Sequence, residues 1–220
     1  MGPERLKIWR ALDWPNRISF IRLTLVAPFV VLLMNQHQWA PARHLALAIF
    51  VVMGLSDYLD GVLARRLNAK TRLGAILDPL ADKTMVIFSV LLLARAESAV
   101  PGARLPNWVV VAVVGKDLWV IVGFIVVYLV TDRFRVQPTR AGKAATFGQV
   151  VMVASVLISP DLDAATGSYR VGAALRYSSC WAVVVLSVAS VISYTRLGLR
   201  FVVAEEKPLE DGGPRGKAAA

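Results

Sequence analysis

The sequence predicts an all-α integral membrane protein with six transmembrane helices and an N-terminal interfacial amphipathic helix. Hydrophobic residues form 56% of the 220-residue chain and charged residues 18%, and the apolar residues come in long runs. A helix that spans a bilayer needs about 20 mostly apolar residues, which is the length of these runs. We therefore assign residues 1–17 to the interfacial helix, 18–200 to a six-helix domain and 201–220 to a disordered tail.

The six predicted spans cover residues 18–34, 44–66, 73–94, 107–130, 144–160 and 171–195. The first has no small-residue cleavage site after it, so we expect a retained helix and not a signal peptide. Before it, residues 3–14 mix apolar and basic side chains, as does a helix lying on an anionic membrane surface. An ordinary solvated terminus is the alternative. The tail is polar and rich in Gly and Pro, which predicts disorder.

Lysine and arginine are concentrated in alternate connecting segments, which predicts the orientation of the chain in the membrane. Of the 25 basic residues, seventeen lie in the N-terminus, in the loops after the second and fourth spans and in the C-terminal segment. Only four lie in the other three loops. The positive-inside tendency therefore places both termini in the cytoplasm. The net charge of +10 is then mainly a topology signal, and no nucleic-acid partner is expected.

Nine charged residues lie inside or at the edges of the predicted spans. Each costs at least about 2.5 kcal/mol on insertion scales, so such residues normally face a cavity and have a function. The basic ones are Arg22, Lys83, Lys116 and Arg176, and the acidic ones are Asp57, Asp60, Asp78, Asp82 and Asp117.

Four of these aspartates form two pairs with helical spacing. Asp57 and Asp60 are three residues apart in the second span, and Asp78 and Asp82 are four apart in the third. Residues three or four apart lie on the same face of a helix. Because a short cytoplasmic loop joins the two spans as an antiparallel hairpin, both pairs are expected at similar depth, where they can converge.

Four converging carboxylates in hydrocarbon would repel one another and protonate unless cations balanced them. Oxygen-only ligation favours Mg²⁺ or Mn²⁺ over zinc, and a single cysteine, Cys180, allows no Cys-based metal site. Two such ions suit phosphoryl transfer, since they neutralise a diphosphate and stabilise the attacking and leaving oxygens. A proton relay or a structural hydrogen bond would explain one aspartate, but not four with this spacing.

Small and basic residues accompany the aspartates. Gly61, Ala64 and Gly74 remove bulk where a nucleotide or a neighbouring backbone must approach closely. Arg65 lies one turn beyond Asp60–Gly61, at the cytoplasmic mouth, where it could hold a phosphate. These residue types and positions fit the same picture of a diphosphate neutralised by two metal ions.

The pattern D-x2-D-G-x2-A-R-x8-G-x3-D-x3-D runs from Asp57 to Asp82 and resembles the motif of the CDP-alcohol phosphotransferase family at every fixed position. The resemblance extends over about residues 15–200. It implies a membrane enzyme, active as a homodimer, that transfers a phosphatidyl group from CDP-diacylglycerol to a polyol hydroxyl with two divalent cations. It also implies that Asp57, Asp60 and Asp78 ligate the metals, and that Asp82 ligates one and acts as general base. The implied CDP site is shaped by Gly61, Ala64, Arg65 and Gly74.

A shorter match lies at the start of the first span. Residues 16–22 (NRISFIR) resemble the family's N-x-[LI]-[ST]-x-x-R motif beside the cytidine nucleotide, which implies that Asn16 and Ser19 bind CDP. A helix start and a back-bonded hydroxyl would explain these two residues without a ligand. Arg22 lies one turn inside the membrane, and we expect it to bind the acceptor instead of snorkelling to the interface.

Two further segments narrow the choice of acceptor substrate. Residues 78–83 (DPLADK) and 142–149 (GKAATFGQ) resemble the glycerol branch of the family, meaning phosphatidylglycerophosphate synthases and related cardiolipin synthases. Arg140 and Lys143 put positive charge where an anionic acceptor would enter, although positive-inside charge alone would also explain them. We therefore predict glycerol 3-phosphate as acceptor, with phosphatidylglycerol as the alternative.

Lys116 and Asp117 stand where phosphatidylglycerophosphate synthases usually have Arg-Glu, and a Lys-Asp version is closer to cardiolipin synthases. Either Lys116 contacts the acceptor phosphate, or each of the two residues pairs with a polar group on another helix. Because neighbouring positions on a helix point about 100° apart, the two are not expected to pair with each other.

Two other classes of function compete with the enzyme. An ion- or proton-coupled transporter predicts charges through the full membrane depth and matching Gly/Pro breaks in paired spans. In this sequence the carboxylates cluster toward one side of the membrane. A scaffold that has lost activity is disfavoured by the complete set of four aspartates.

Overall fold

A computed structural model of the chain is all-helical. The structure describes the backbone of residues 14–67, 74–131 and 139–206, and the side chains of residues 20–56, 83–127, 129 and 139–200. No strand occurs within these ranges. The helices are α1 (Trp14–Met34), α2 (Ala42–Leu67), α3 (Gly74–Ala94), α4 (Asn107–Thr131), α5 (Arg140–Thr166) and α6 (Tyr169–Glu206).

Three helices are long and apolar enough to cross a membrane, judged by length and composition over the described residues. These segments are Asn107–Val127, Arg140–Thr166 and Tyr169–Arg200. The first three helices contribute shorter apolar segments, Phe20–Met34, Ala42–Ser56 and Lys83–Ala94. The all-helical class is therefore confirmed, whereas the count of six spans stays a prediction. The predicted interfacial helix lies, up to residue 13, outside the described residues.

Local signals account for both ends of α5. Thr139 is extended (φ −74°, ψ 154°) and its hydroxyl accepts a hydrogen bond from the Gly142 amide, so it caps α5. The helix ends at Gly167, whose φ of 64° is left-handed and costs glycine no Cβ clash. The following helix, α6, continues to Glu206, so residues 201–206, which the sequence assigns to the disordered tail, are helical. Residues 207–220 lie outside the described part of the chain.

The helices alternate in direction, so the bundle has two chemically different ends. We call the end at which α1, α3 and α5 begin the near end, and the opposite end the far end. The far end is tied together by contacts between loops and helix ends: the Gln36 amide donates to the Ser98 carbonyl, and Arg43 forms an ion pair with Asp161.

The apolar core described by the structure lies mainly in the far half of the bundle. There α1 packs against α2 and α3, and α6 packs against α5 and α4, while α2 and α3 also contact α5. The rings of Phe29 and Phe50 contact each other with centroids 5.7 Å apart. Buried polar and charged side chains occur throughout the described bundle. Gln36, Ser98 and Ser159 lie toward the far end, and the others include Arg22, Lys116, Asp117, Gln149, Ser187 and Ser190.

Candidate functional site

The backbone is helical across both aspartate pairs. Asp57 and Asp60 lie in α2, and Asp78 and Asp82 lie in α3, so the spacing places the members of each pair on one helix face. All four side chains lie outside the described residues. Among the side chains that are described, no three His, Cys, Asp or Glu residues group to hold a metal ion. The predicted metal site therefore depends on these four aspartates.

The residues predicted to bind CDP flank the aspartates along the helices. Asn16 and Ser19 lie in the first two turns of α1, and Gly74 is the first residue of α3. These side chains also lie outside the described residues. The helix that carries the predicted nucleotide segment, α1, packs against both aspartate helices, α2 and α3. The other three residues follow the first aspartate pair in α2: Gly61, Ala64 and Arg65.

A charged cluster joins α3 to α4 one residue after Asp82. Lys83 Nζ donates a hydrogen bond to Asp117 Oδ1 at 2.7 Å, and Lys116 Nζ lies 3.1 Å from the same oxygen. The side chains of Lys116 and Asp117 are 4% and 12% exposed, whereas that of Lys83 is 41% exposed. We call Lys83, Lys116 and Asp117 the Lys–Asp–Lys cluster. Counted over these three described side chains alone, two ammonium groups and one carboxylate give a formal charge of +1.

The contact between Lys116 and Asp117 contradicts the expectation that these neighbours do not pair. Their Cβ atoms diverge by about 100°, but the flexible four-carbon stem of a lysine can bring its ammonium back to the adjacent carboxylate. Asp117 also pairs with another helix, through Lys83, as one of the two alternatives predicted. Pairing within α4 and pairing between helices therefore coexist on one carboxylate oxygen.

Arg22 is enclosed by protein. Its side chain is 1% exposed, although it lies only eight residues after the first residue of α1. An arginine that snorkelled to the interface would expose its guanidinium, so the burial contradicts that alternative. The predicted role of Arg22 in acceptor binding stays a prediction.

Arg140 and Lys143 lie in the first turn of α5 with exposed side chains. Neither forms an ion pair with a side chain that the structure describes. Between them, Gly142 faces α6, where an added Cβ would lie 2.7 Å from the Tyr194 ring. The close approach of the two helices thus orients the basic pair away from the seam and toward the near-end surface.

Gln149 lies further along the same buried face of α5. Its side chain is 2% exposed, and its Nε2 has no hydrogen-bond partner among the described residues. On α6, Ser187 and Ser190 are also buried, and their hydroxyls are equally without a partner in the described part of the chain. Unsatisfied buried groups cost free energy, so clusters of them often mark functional regions.

Several of these polar residues share one depth in the bundle. Arg22 lies eight residues after the start of α1, while Lys83 and Gln149 lie nine residues after the starts of α3 and α5. At 1.5 Å per residue, each lies roughly 12–14 Å from the near end of its helix. Sequence reasoning included Arg22 but not Lys83 or Gln149 in the site. The signal that could have identified them is the position of each directly within or after a matched motif.

Comparison with protein families matches residues 12–189 to the model of the CDP-alcohol phosphatidyltransferases. Among curated proteins, the chain is 30% identical over 154 residues to "CDP-diacylglycerol--glycerol-3-phosphate 3-phosphatidyltransferase" of Bacillus subtilis, an alignment that covers 66% of this chain and 76% of the relative. A protein of the same name from Aquifex aeolicus is 33% identical over 135 residues, which cover 61% of this chain and 70% of the relative.

A third relative carries a different name. "Putative cardiolipin synthase" of Mycobacterium tuberculosis is 32% identical over 149 residues, which cover 68% of this chain and 66% of the relative. The similarity therefore extends to two kinds of protein that are named for different reactions.

Proposed function

Because the chain belongs to the CDP-alcohol phosphatidyltransferase family, we propose that it transfers the phosphatidyl group of CDP-diacylglycerol to glycerol 3-phosphate and releases CMP. The observation that carries this proposal is the complete aspartate motif from Asp57 to Asp82, spread over two helices at helical spacing. The chain is thus a membrane transferase of phospholipid synthesis.

The donor set of the motif fits two divalent cations. Asp57, Asp60, Asp78 and Asp82 would hold Mg²⁺ or Mn²⁺, since carboxylate oxygens are the ligands that both ions prefer. When bound, the ions neutralise the diphosphate of the substrate and lower the cost of charge developing on the attacking and leaving oxygens. Without them, four carboxylates in two adjacent turns of two helices would repel one another.

The protein's own groups position the substrates and move one proton. Asp82 accepts the proton of the acceptor hydroxyl, whose oxygen then forms a bond to the phosphorus that bears diacylglycerol. The bond from that phosphorus to the oxygen of the CMP group breaks, and CMP leaves beside Arg65. Asn16 and Ser19 hold the cytidine, while Gly61, Ala64 and Gly74 leave room for the nucleotide. This chemistry is mainly positioning and electrostatic stabilisation.

An anionic acceptor fits the positive charge of the near end. Arg140 and Lys143 are exposed where the acceptor would enter, and the Lys–Asp–Lys cluster holds two more basic side chains inside. The names of the relatives from Bacillus subtilis and Aquifex aeolicus support glycerol 3-phosphate. Phosphatidylglycerol is the second candidate, supported by the Mycobacterium tuberculosis relative and by the Lys-Asp pair at positions 116 and 117.

The arrangement in the membrane is also part of the proposal. All six helices span the bilayer, with both termini and the near end in the cytoplasm, as the distribution of Lys and Arg predicts. The alternating directions of the six helices support an even number of crossings. The segment before α1 lies on the membrane surface, and the active molecule is a homodimer.

The test is CMP release by the purified full-length protein with CDP-diacylglycerol and Mg²⁺ or Mn²⁺. Glycerol 3-phosphate, phosphatidylglycerol and inositol phosphate are offered separately. We expect release with glycerol 3-phosphate, loss of release with a chelator, and a rate at least about 100-fold lower in Asp82→Asn. Glu97→Gln is the matched control, because it removes one exposed carboxylate at the far end and should leave the rate unchanged.

Each other outcome selects a different function. Release only with phosphatidylglycerol would replace the proposed acceptor with the second candidate. No release with any acceptor, from folded protein, would overturn the enzyme and favour a transporter. Transport into liposomes that Asp82→Asn abolishes would then support that class.

A further inference from the structure

The three members of the Lys–Asp–Lys cluster become progressively more accessible from α4 toward α3. Lys116 is 4% exposed, Asp117 12% and Lys83 41%. Asp117 Oδ1 therefore stands between a buried ammonium group and an accessible one. The lysine that a ligand can reach is Lys83, and it follows the predicted general base, Asp82, directly in the chain.

The charges of the cluster explain why two lysines share one carboxylate. With Lys83 alone, Asp117 would form a neutral pair and cancel the charge that a ligand meets. Lys116 supplies the second positive charge from the buried side, 3.1 Å from the shared oxygen. Within the cluster, Asp117 therefore does not fully cancel the charge of Lys83, which is the accessible lysine. An accessible ammonium group that shares its carboxylate with a second lysine is suited to bind an anion such as a phosphate.

We propose that Lys83 binds the phosphate of the acceptor, and that Asp117 and Lys116 are positioning residues: Asp117 holds Lys83 in place, and Lys116 keeps Asp117 from cancelling the charge of Lys83. This inference rests on the proposed function and assigns its acceptor subsite. Lys116, which the sequence predicts to contact the acceptor, acts through Asp117. The hydrogen bond from Lys83 to Asp117 fixes a long side chain in advance, which lowers the entropy that is lost on binding.

The location of Lys83 makes this role compatible with the chemistry of Asp82. Because Lys83 directly follows Asp82, the proposed phosphate contact and the predicted general base belong to the same turn of α3. A cationic site at this position also favours acceptors that carry a phosphate over neutral polyols. The cluster would thus contribute to acceptor choice without contacting CDP-diacylglycerol.

The test compares Lys83→Met, Lys116→Met and the double variant Lys116→Met/Asp117→Asn in full-length protein. Lys83→Met removes the proposed contact, and Lys116→Met leaves Asp117 to cancel the charge of Lys83. Each should raise the KM for glycerol 3-phosphate by about tenfold or more, with the KM for CDP-diacylglycerol unchanged. The double variant frees the charge of Lys83 again, so its KM should return to within about threefold of the wild-type value.

The rescue by the second substitution separates the proposal from its alternatives. If Lys116 itself bound the phosphate, the double variant would be at least as impaired as Lys116→Met, and that result would overturn the proposal. An equal rise in both KM values, or a lower unfolding temperature in every variant, would show a merely structural cluster and would also overturn it.

The single variants leave no unpaired buried charge, since each retains one lysine on Asp117, so folding is expected to survive. If the double variant does not fold, the charge-conserving Lys83→Arg decides the question. A KM for glycerol 3-phosphate within about threefold of wild type would support a phosphate contact, and a KM as high as that of Lys83→Met would overturn it. An active wild type with unchanged variants defeats this inference alone, whereas wild type that releases no CMP defeats the proposed function and the inference together.

Discussion

Among the described side chains, two charge clusters each join two helices, one at the far end and one inside the bundle, and they differ in how completely their own charges are balanced. At the far end, Arg43 donates through Nη1 to Asp161 Oδ2 at 2.9 Å and through Nη2 to Oδ1 at 2.6 Å. Its Nη1 also donates to the Leu157 carbonyl at 2.7 Å, and His44 Nε2 lies 3.1 Å from Asp161 Oδ1. We call Arg43, His44 and Asp161 the far-end clamp.

The Lys–Asp–Lys cluster has the opposite character. Two ammonium groups share one oxygen of Asp117, so within these three side chains one positive charge is left over. A bidentate pair of one arginine and one carboxylate is complete and stabilises the contact between its helices. A buried cluster with surplus charge costs stability unless another group balances it. The comparison teaches that, in this bundle, the balanced cluster serves packing and the unbalanced one is suited to bind an anionic substrate.

The largest effect is expected from a substitution in the far-end clamp, which tests whether this cluster serves stability and not activity. Asp161→Asn replaces a charge-assisted bidentate contact and should lower the free energy of unfolding by about 2–3 kcal/mol. CMP release well below the unfolding temperature should stay within about twofold of wild type, because the site is at the other end. Thermal unfolding and the CMP assay measure the two effects. Loss of activity without loss of stability would show that the clamp and the site are coupled.

Two glycines test whether the ends also differ in packing. A Cβ on Gly172, at the far end, would overlap the carbonyl oxygen of Ser159, which is backbone and cannot turn away. Gly172→Ala should therefore lower the free energy of unfolding by about 1–2 kcal/mol. For Gly142→Ala, at the near end, the three atoms nearest to the added Cβ all belong to the Tyr194 side chain, which can move, so the loss of stability should be smaller.

The control for both substitutions is Gly123→Ala, because a Cβ there has no heavy atom within 4 Å. It should leave stability unchanged or raise it slightly through helix propensity. Chemical or thermal denaturation of the three variants in one detergent ranks their free energies of unfolding. A larger loss of stability for Gly142→Ala than for Gly172→Ala would contradict the prediction that the far end is the more tightly packed of the two.

The smallest expected loss of stability concerns the cap at the start of α5, at the near end. Thr139→Ala removes the hydroxyl that accepts the Gly142 amide at 3.0 Å, and should cost about 1 kcal/mol of stability. Thr139→Ser retains the oxygen and is the matched control. Equal stability of the two variants in thermal unfolding would mean that the cap contributes nothing to the start of α5.

Helix positions were predictable because hydropathy and helical spacing are local properties. The helix predicted at 107–130 is observed as Asn107–Thr131, and the helix predicted at 18–34 as Trp14–Met34. The largest differences lie in α5 and α6, which are longer at both ends than the apolar runs indicate. Thr139 and Arg140 begin α5 outside the hydrophobic run, because capping and helix propensity do not require apolar side chains.

The sequence by itself determined the helical class, the family and the four-aspartate motif, because each depends on residue type and on spacing along one or two helices. Only the tertiary structure decided how the remaining charges are paired. It joins Arg43 to Asp161 across 118 residues, and Lys83 to Asp117 across 34. It also brings Lys116 onto its own neighbour. Such pairings depend on the register between packed helices and on side-chain rotamers, and neither leaves a periodic signal in the sequence.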